Sequence, residues 1–274
     1  MNNLIKRTVT GIAFVGLVVA AVLLSQWVLF CVFLLFTCLG MYEYRTLLKQ
    51  NNINLSIAFY IVGLLVYSII SYIVLLLFAE WLLVPLVLLG LALFFVLFIV
   101  ELFLKREQPF RNIAYSVLGI LWIVIPFALV NNLHFWILDG KFLLLSVFIF
   151  IWMYDTFAYC VGMLIGKHRL FERISPKKSW EGAIGSTILT LTAAYFANLL
   201  FPMLPLTPFQ WIGLALVIIV FGTLGDLAES LFKRQLSVKD SGSILPGHGG
   251  ILDRFDSLLF AIPFVLLYLS IIVP

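Results

Sequence analysis

Nine apolar runs, each close to the length of a membrane span, follow one another through this chain of 274 residues. A helix needs about 20 apolar residues to cross the hydrocarbon core of a bilayer. Hydrophobic residues make up 64% of the chain and charged residues only 11%, whereas a typical soluble domain has roughly 25% charged residues. The sequence therefore predicts an all-α polytopic membrane protein with about nine transmembrane helices. Polar breaks such as Glu80-Trp81 separate the runs, which are centred in 9–25, 28–42, 57–78, 82–100, 113–130, 142–166, 181–200, 209–228 and 257–273.

The basic residues are distributed unevenly between the predicted loops. With nine spans and a cytoplasmic N-terminus, all but one of the 17 Lys and Arg residues lie on one side of the membrane, and Lys141 alone lies on the other. Cytoplasmic loops carry an excess of Lys and Arg. We therefore expect a multi-pass protein of the cell inner (plasma) membrane whose N-terminus is cytoplasmic and whose C-terminus lies outside.

Charged residues also concentrate in the second half of the chain. The segment 150–260 contains more of them than the longer segment 1–149, and 261–274 contains none. The sequence therefore predicts a scaffold of N-terminal transmembrane helices over 1–149. It predicts a catalytic transmembrane region with cytoplasmic polar loops over 150–274.

The segment 230–256 is the densest polar stretch of the chain. It combines carboxylates, cations and permissive glycines around a Pro-Gly-His-Gly-Gly loop at 246–250, as binding of a metal–polyphosphate complex requires. The backbone N–H groups of that loop are candidates to hold phosphate. The polar side chains of the segment that we take as candidates are Ser230, Lys233, Arg234, Lys239, Asp240, His248, Asp253, Arg254 and Asp256.

Asp226 lies near the cytoplasmic end of the eighth run, where an ionisable side chain is costly and by default marks a functional site. Helical spacing places it on one face with Glu229 or Ser230 and with Lys233. The functional interpretation pairs Asp226 with Asp253 as oxygen ligands for Mg²⁺, which takes one or two carboxylates and leaves room for phosphates. The alternative is an ion pair between Asp226 and Lys233 or another helix.

Asp253 and Asp256 immediately precede the ninth run. A helix that starts near Asp253 would have acidic residues in its first turn. Capping of that helix and interaction with its dipole are therefore an alternative role for both residues.

A second polar cluster lies at 175–182. Ser175 before Pro176 predicts the start of a helix, and the positive end of that helix, with Lys177 and Lys178, is a candidate anion site. The alternative is that the two lysines only anchor the cytoplasmic side. Asp155, within the sixth run, is either the centre of a hydrogen-bond network or part of the lining of a polar cavity.

The segment 230–256 closely resembles the sequence pattern of the phosphatidate cytidylyltransferase family, the CDP-diacylglycerol synthases. The family pattern is met at every specified position between Ser230 and Asp256. The segments 175–182 and 155–159 are also similar to the family. The resemblance implies that the cytidylyl group of CTP is transferred to phosphatidic acid, with release of pyrophosphate, at a site facing the cytoplasm.

By this resemblance, Asp226 and Asp253 are the expected ligands of Mg²⁺, and a second cation such as K⁺ is left open. The same two residues, with Lys239, Asp240 and His248, are expected to be catalytic. The expected partners are CTP, phosphatidic acid and membrane lipids, and a homodimer is left open. The residues expected to bind substrate are Asp155, Lys177, Lys178, Ser179, Ser230, Lys233, Arg234, Gly249, Gly250, Arg254 and Asp256.

Two other functions are compatible with the sequence. A CTP-dependent kinase of a lipid alcohol, such as polyprenol or phytol, would transfer phosphate instead of the cytidylyl group. An ion-coupled transporter would use Asp155 and Asp226 as ion sites inside the membrane. A transporter does not need the dense cytoplasmic polar segment, which argues against this function. Nucleic-acid binding is excluded, because the sequence predicts no soluble domain and few exposed basic residues.

Overall fold

Helices make up most of the computed structural model, which describes residues 3–72, 83–137 and 139–272. We number them in chain order, and a short π-helical segment, Ile120–Val124, joins α5 to α6. The helices are α1 (Asn3–Leu24), α2 (Gln26–Lys49), α3 (Ile57–Ser71), α4 (Leu83–Leu104), α5 (Pro109–Gly119), α6 (Ile125–Trp136), α7 (Gly140–Ile165), α8 (Trp180–Tyr195), α9 (Ala197–Leu200), α10 (Pro208–Gln235) and α11 (Leu252–Ile272).

Each of the nine apolar runs contains a helix, and in the described part of the chain six helical segments are long and apolar enough to cross a membrane. A predominantly helical, polytopic membrane fold is therefore confirmed. The count of nine and the orientation of the termini remain predictions. The end of the third run, the break at Glu80-Trp81 and the start of the fourth run lie outside the described residues. The six segments are Gln26–Lys49, Pro85–Leu104, Pro109–Trp136, Gly140–Ile165, Pro208–Gln235 and Leu252–Ile272.

One antiparallel hairpin interrupts the helices in the described residues. Strand β1 (Arg169–Phe171) pairs with strand β2 (Ser175–Ser179). The Glu181 carboxylate ties the segment before the hairpin to α8, because it accepts hydrogen bonds from the backbone N–H of Lys167, at 3.1 Å, and of His168. The hairpin is therefore anchored at its base to the beginning of α8.

The predicted start of a helix at Ser175-Pro176 is wrong. These residues begin β2, and the helix starts at Trp180, one turn later. Ser179 is the residue that caps this helix, since its hydroxyl accepts a hydrogen bond from the N–H of Gly182 at 3.1 Å. A serine hydroxyl in that position satisfies one of the N–H groups that the first helical turn leaves without an intrahelical partner.

The start of α10 fixes the position of Asp226. Thr207 and Gln210 form a reciprocal capping box: the N–H of Gln210 donates to the Thr207 hydroxyl at 3.3 Å, and the Gln210 side-chain oxygen accepts from the N–H of Thr207 at 2.8 Å. Pro208 occupies the first helical position, where its missing N–H costs nothing. From this start, α10 continues for 28 residues and carries Asp226 in its C-terminal part.

The chain packs as two compact units, one formed by 1–136 with 240–254 and the other by 137–239 with 255–274. In the first unit, the Phe33 and Phe127 rings meet edge to face and are fully buried. The functional division predicted at 149/150 remains a prediction. In packing, the chain divides after Trp136, and residues 240–254 belong to the first unit.

In the second unit, glycines allow two pairs of helices to approach closely. A Cβ atom at Gly182 of α8 would lie 2.8 Å from the carbonyl oxygen of Ala158 in α7. A Cβ atom at Gly225 of α10 would lie 2.6 Å from the carbonyl oxygen of Asp256 in α11. Because real side chains do not tolerate such distances, glycine at 182 and 225 is what permits these contacts.

Candidate functional site

A cavity of about 280 Å³ lies in the second unit and is called here the Asp226 pocket. It is formed by α7, both strands of the hairpin, the start of α8, and α10, so strand β2 lies next to the part of α7 that carries Asp155. Five of the residues predicted from the sequence as site residues line it: Asp155, Lys177, Lys178, Ser179 and Asp226. The structure thus brings the cluster at 175–182 together with Asp155 and Asp226, which lie far from it in the sequence.

Asp226 is held between two neighbours in this pocket. Its Oδ2 atom forms an ion pair with the ammonium group of Lys178, and its Oδ1 atom accepts a hydrogen bond from the Ser230 hydroxyl at 3.3 Å. The alternative of an ion pair is thus correct in kind, but the partner is Lys178 on β2. Lys233 instead lies 3.2 Å from Glu229, one turn before it on the same helix.

Two further carboxylates act electrostatically near Asp226. Asp256 of α11 interacts with the charges of Asp226, Asp155 and Lys233. The Oδ1 atom of Asp256 also accepts a hydrogen bond from the N–H of Ser257 at 2.6 Å. Several negative charges therefore meet around this part of the pocket, and such a concentration favours cations as ligands.

In the first unit, the predicted glycine loop folds back on itself around His248. Gly247 and Gly249 adopt left-handed φ angles of 77° and 84°, which side chains other than glycine rarely take. The N–H of Leu245 donates to the carbonyl oxygen of Gly249 at 3.0 Å, and the His248 ring packs against Gly11 of α1. The N–H of His248 donates to the carbonyl oxygen of Leu245, and the N–H of Gly250 donates to the Asp253 carboxylate, so a phosphate contact at either position would have to replace these bonds.

Asp253 lies in the first turn of α11 and organises the segment before it. Its Oδ2 atom accepts hydrogen bonds from the N–H of Ser241 at 2.8 Å, the Ser241 hydroxyl at 3.0 Å and the N–H of Gly250 at 2.8 Å. Its position in the first turn agrees with an interaction with the helix dipole, but its carboxylate accepts from residues before the helix and does not cap the first turn. The role of Asp253 as a metal ligand remains a prediction.

Glu43 is a residue of the first unit that the sequence analysis missed. It lies in α2 with 2% of its surface exposed. Its Oε1 atom accepts from the N–H of Ile251 at 2.9 Å, and its Oε2 atom accepts from the N–H of Leu252 at 3.0 Å and from the Ser241 hydroxyl at 3.2 Å. Glu43 directly follows the predicted run 28–42, and an acidic residue at the edge of a span was the signal that could have identified it.

The remaining predicted residues are mostly accessible. Ser230 and Lys233 are half-buried. The exposed members of the set are Arg234, Lys239, Asp240 and Arg254. Asp226 and Asp253 belong to different packing units, and their pairing remains a prediction.

The chemistry of the Asp226 pocket fits a hard divalent cation. In the described part of the chain, no three His, Cys, Asp or Glu side chains converge as a ready-made metal cage. Mg²⁺ does not need such a cage, since it usually binds through one or two carboxylates and keeps its other positions for water and phosphate. Asp226, with the Ser230 hydroxyl on one oxygen and a lysine on the other, offers ligand chemistry of that kind.

Comparison with known proteins finds relatives that share one printed name. A phosphatidate cytidylyltransferase of Staphylococcus aureus (strain COL) is 40% identical over 163 residues, which cover 58% of this chain and 60% of the relative. Those of Staphylococcus haemolyticus and Staphylococcus saprophyticus are 40% and 38% identical over 174 and 172 residues, and each alignment covers 63% of this chain and 65% of the relative. The chain thus aligns with about three fifths of the length of these curated relatives.

The match to a whole family is broader than these pairwise alignments. The family described as "Cytidylyltransferase family" matches residues 5–272, which include both packing units and every candidate site residue named above. The chain belongs to the cytidylyltransferase family.

Proposed function

We propose that this protein is a nucleotidyltransferase that joins the cytidylyl group of CTP to phosphatidic acid and releases pyrophosphate. The observation that carries the proposal is the Asp226 pocket, where two carboxylates and two lysines meet in a membrane protein of this family. The printed name of the staphylococcal relatives, phosphatidate cytidylyltransferase, supports the same substrate pair.

In this reaction the protein has to position the two substrates and neutralise the charge of their phosphates, and it does not have to transfer a proton. A phosphate oxygen of phosphatidic acid forms a bond to the α-phosphorus of CTP, and the bond between that phosphorus and the pyrophosphate oxygen breaks. A phosphate monoester loses its second proton near pH 6, so the attacking oxygen is already anionic at neutral pH and needs no general base. Electrostatic stabilisation therefore accounts for most of the expected catalysis.

The lysines of the pocket are placed to supply that stabilisation. Lys178 is held at Asp226 by their ion pair, and Lys177 lines the same cavity. We assign both to the phosphates of CTP, with Lys233 and Arg234 as further cations at the end of α10. This arrangement keeps positive charge at the site before the nucleotide binds.

We assign Mg²⁺ to the carboxylates of Asp226 and Asp253, on the grounds of the sequence pattern and the donor chemistry of Asp226. When bound, the ion would neutralise charge on the phosphate oxygens and on the departing pyrophosphate. The role left to the chain is to hold these two carboxylates and the surrounding cations in place.

We further propose that nine helices cross the inner membrane, with the N-terminus and the site on the cytoplasmic side. The distribution of Lys and Arg supports this orientation, because only Lys141 falls on the other side. A cytoplasmic site is accessible to CTP, which is soluble, while phosphatidic acid reaches it from the bilayer.

A labelling experiment with purified protein, Mg²⁺ and phosphatidic acid tests the function. We expect label from the α-phosphate of CTP to enter the lipid and label from the γ-phosphate to leave as pyrophosphate. Entry of the γ-label into a lipid alcohol supplied in place of phosphatidic acid would favour a kinase. Absence of any CTP turnover, together with ion-driven uptake in vesicles, would favour a transporter, and either result would overturn the proposal.

A further inference from the structure

We propose that Glu43 is a positioning residue that holds the segment Asp240–Arg254 in place and, through Ser241, fixes the carboxylate of Asp253. This inference rests on the proposed function in one respect, because Asp253 is a proposed metal ligand. The contacts themselves lie entirely within the first unit.

The Glu43 carboxylate holds the segment at both of its ends. Its two oxygens accept the N–H groups of Ile251 and Leu252, where α11 begins, and also the Ser241 hydroxyl, ten residues earlier. One side chain of α2 therefore closes the segment into a loop. Breaking these bonds would leave two N–H groups buried without an acceptor, which is costly.

Ser241 connects Glu43 to Asp253. Its hydroxyl lies 3.2 Å from Oε2 of Glu43 and 3.0 Å from Oδ2 of Asp253, and it accepts a hydrogen bond from the N–H of Asp253 at 3.3 Å. A hydroxyl has one hydrogen to donate, so the two carboxylates share or compete for the hydrogen of Ser241. Both carboxylates therefore act on the position of Ser241, and a change at Glu43 alters the contact between Ser241 and Asp253.

Two glycines leave the space that the Glu43 carboxylate occupies. A Cβ atom at Gly242 would lie 2.6 Å from Oε1 of Glu43, and one at Gly250 would lie 2.5 Å from its Oε2. Any larger residue at 242 or 250 would push the carboxylate away from its donors. The glycines of this loop thus serve the approach of Glu43, in addition to the backbone turn at Gly247 and Gly249.

The chemistry of the three donors requires a carboxylate. Two N–H groups and a hydroxyl converge on the side chain, and a carboxylate is the group that accepts at both oxygens. Glutamine would turn an NH₂ group toward one of these donors. The charge also lies close enough to Asp253 for the two carboxylates to repel each other, a cost that a purely apolar contact between α2 and the loop would avoid.

Glu101 provides a matched control in the same unit. It is equally buried, with 3% of its surface exposed, and its carboxylate bonds to Arg106 and Asn112 rather than to the loop. Glu101→Gln removes a buried carboxylate of α4 whose hydrogen bonds do not involve residues 240–254. Any effect that both glutamine variants share is an effect on general stability.

The experiment uses the full chain in lipid nanodiscs and compares Glu43→Gln, Ser241→Ala and Glu101→Gln with wild type. Amide hydrogen exchange reports on the loop, and the electron paramagnetic resonance signal of free Mn²⁺ reports on metal binding, since Mn²⁺ occupies the oxygen sites that suit Mg²⁺. Turnover of CTP is measured separately. The first two readouts do not depend on the identity of the substrates.

For Glu43→Gln, we expect the amides of Ile251 and Leu252 to exchange about tenfold faster or more, and the dissociation constant for Mn²⁺ to rise about tenfold, a typical effect of losing a group that orients a metal ligand. We expect kcat to fall with little change in the KM for CTP. Ser241→Ala should weaken Mn²⁺ binding while leaving the exchange of Ile251 and Leu252 near wild type, because Glu43 retains both N–H donors.

Unchanged exchange and unchanged Mn²⁺ binding in Glu43→Gln would overturn the inference, as would equal losses in Glu101→Gln. If Glu43→Gln does not fold, Ser241→Ala decides, and wild-type Mn²⁺ affinity in that variant would contradict the link to Asp253. If wild type does not convert CTP and phosphatidic acid, the proposed function fails. Faster exchange and weaker Mn²⁺ binding in Glu43→Gln would still support the role of Glu43.

Discussion

The ammonium group of Lys178, on strand β2, forms an ion pair with the carboxylate of Asp226, on helix α10. The side chains of the two residues are 30% and 25% exposed. Both side chains line the Asp226 pocket, where a ligand could reach the ammonium group of Lys178. We propose that Lys178 is positioned there to bind an anionic ligand.

Replacement of Lys178 tests this explanation. We expect Lys178→Gln to lower kcat/KM for CTP by about 10- to 100-fold, the loss that corresponds to one hydrogen bond to a charged group. The midpoint of thermal unfolding should change little. Lys167→Gln is the control, because Lys167 is exposed and lies outside the Asp226 pocket. Equal losses in both variants would show that net charge matters and the position of Lys178 does not.

The two proposed metal ligands should act as one unit. We expect Asp226→Asn and Asp253→Asn each to reduce turnover by roughly 10³-fold, as loss of several kcal/mol of charge stabilisation implies. If both hold the same ion, the double variant should be no worse than either single variant. Single-turnover rates at several Mg²⁺ concentrations check this, with Glu172→Gln, an exposed carboxylate of the hairpin, as control. Full activity in either single variant would contradict the assignment.

Two glycines of α10, three residues apart, should differ in their tolerance of a methyl group. A Cβ atom at Gly225 would lie 2.5 Å from Cβ of Phe260, while one at Gly222 would have its nearest neighbour, Cβ of Ser257, at 3.5 Å. We expect Gly225→Ala to lower the free energy of unfolding by about 1–3 kcal/mol through overpacking. Gly222→Ala should be close to neutral. Denaturant unfolding in mixed micelles measures both, and equal effects would contradict the close approach of α10 and α11.

The proposed orientation can be tested on intact cells. In a chain whose cysteines Cys31, Cys38 and Cys160 are replaced by alanine, we expect Lys141→Cys to react with a membrane-impermeant maleimide added outside. Arg173→Cys, in the hairpin, should react only after the membrane is opened. Both positions are at least partly exposed, so access depends on the side of the membrane. Labelling of Arg173→Cys in intact cells would contradict the proposed orientation and indicate the opposite one.

The sequence predicted the helical membrane fold from its apolar runs, and it selected the charged residues that line the Asp226 pocket from their polarity. The apolar and aromatic residues of the lining were not predicted, because they do not differ in type from the rest of a membrane span. The sequence also could not place β2. Ser175 precedes a proline and is therefore restricted to extended backbone, a conformation that a strand and the residue before a helix share. The pairing with β1, which decides between them, is not visible in local spacing.

The role of Glu43 could not be predicted from the sequence for a different reason. Its partners Ser241, Ile251 and Leu252 are about 200 residues away along the chain, and no periodicity within α2 reports on contacts at such a separation. The rule that a charged residue in a span marks a functional site was applied to Asp155 and Asp226. Glu43 and Glu101 each lie just past a predicted run, 28–42 and 82–100, and the rule selects them only when the runs are extended to the ends of the observed helices.

The glycine contact between α7 and α8 has a consequence for how this protein would evolve or be engineered. The two helices meet where Gly182 faces the backbone of Ala158. Strand β2, which carries Lys178, leads directly into α8, so the spacing of the two helices bears on where Lys178 lies. Adding a single carbon at Gly182 would act as a wedge between the helices and would also press on the Ser179 hydroxyl, which would lie 3.0 Å from the added atom.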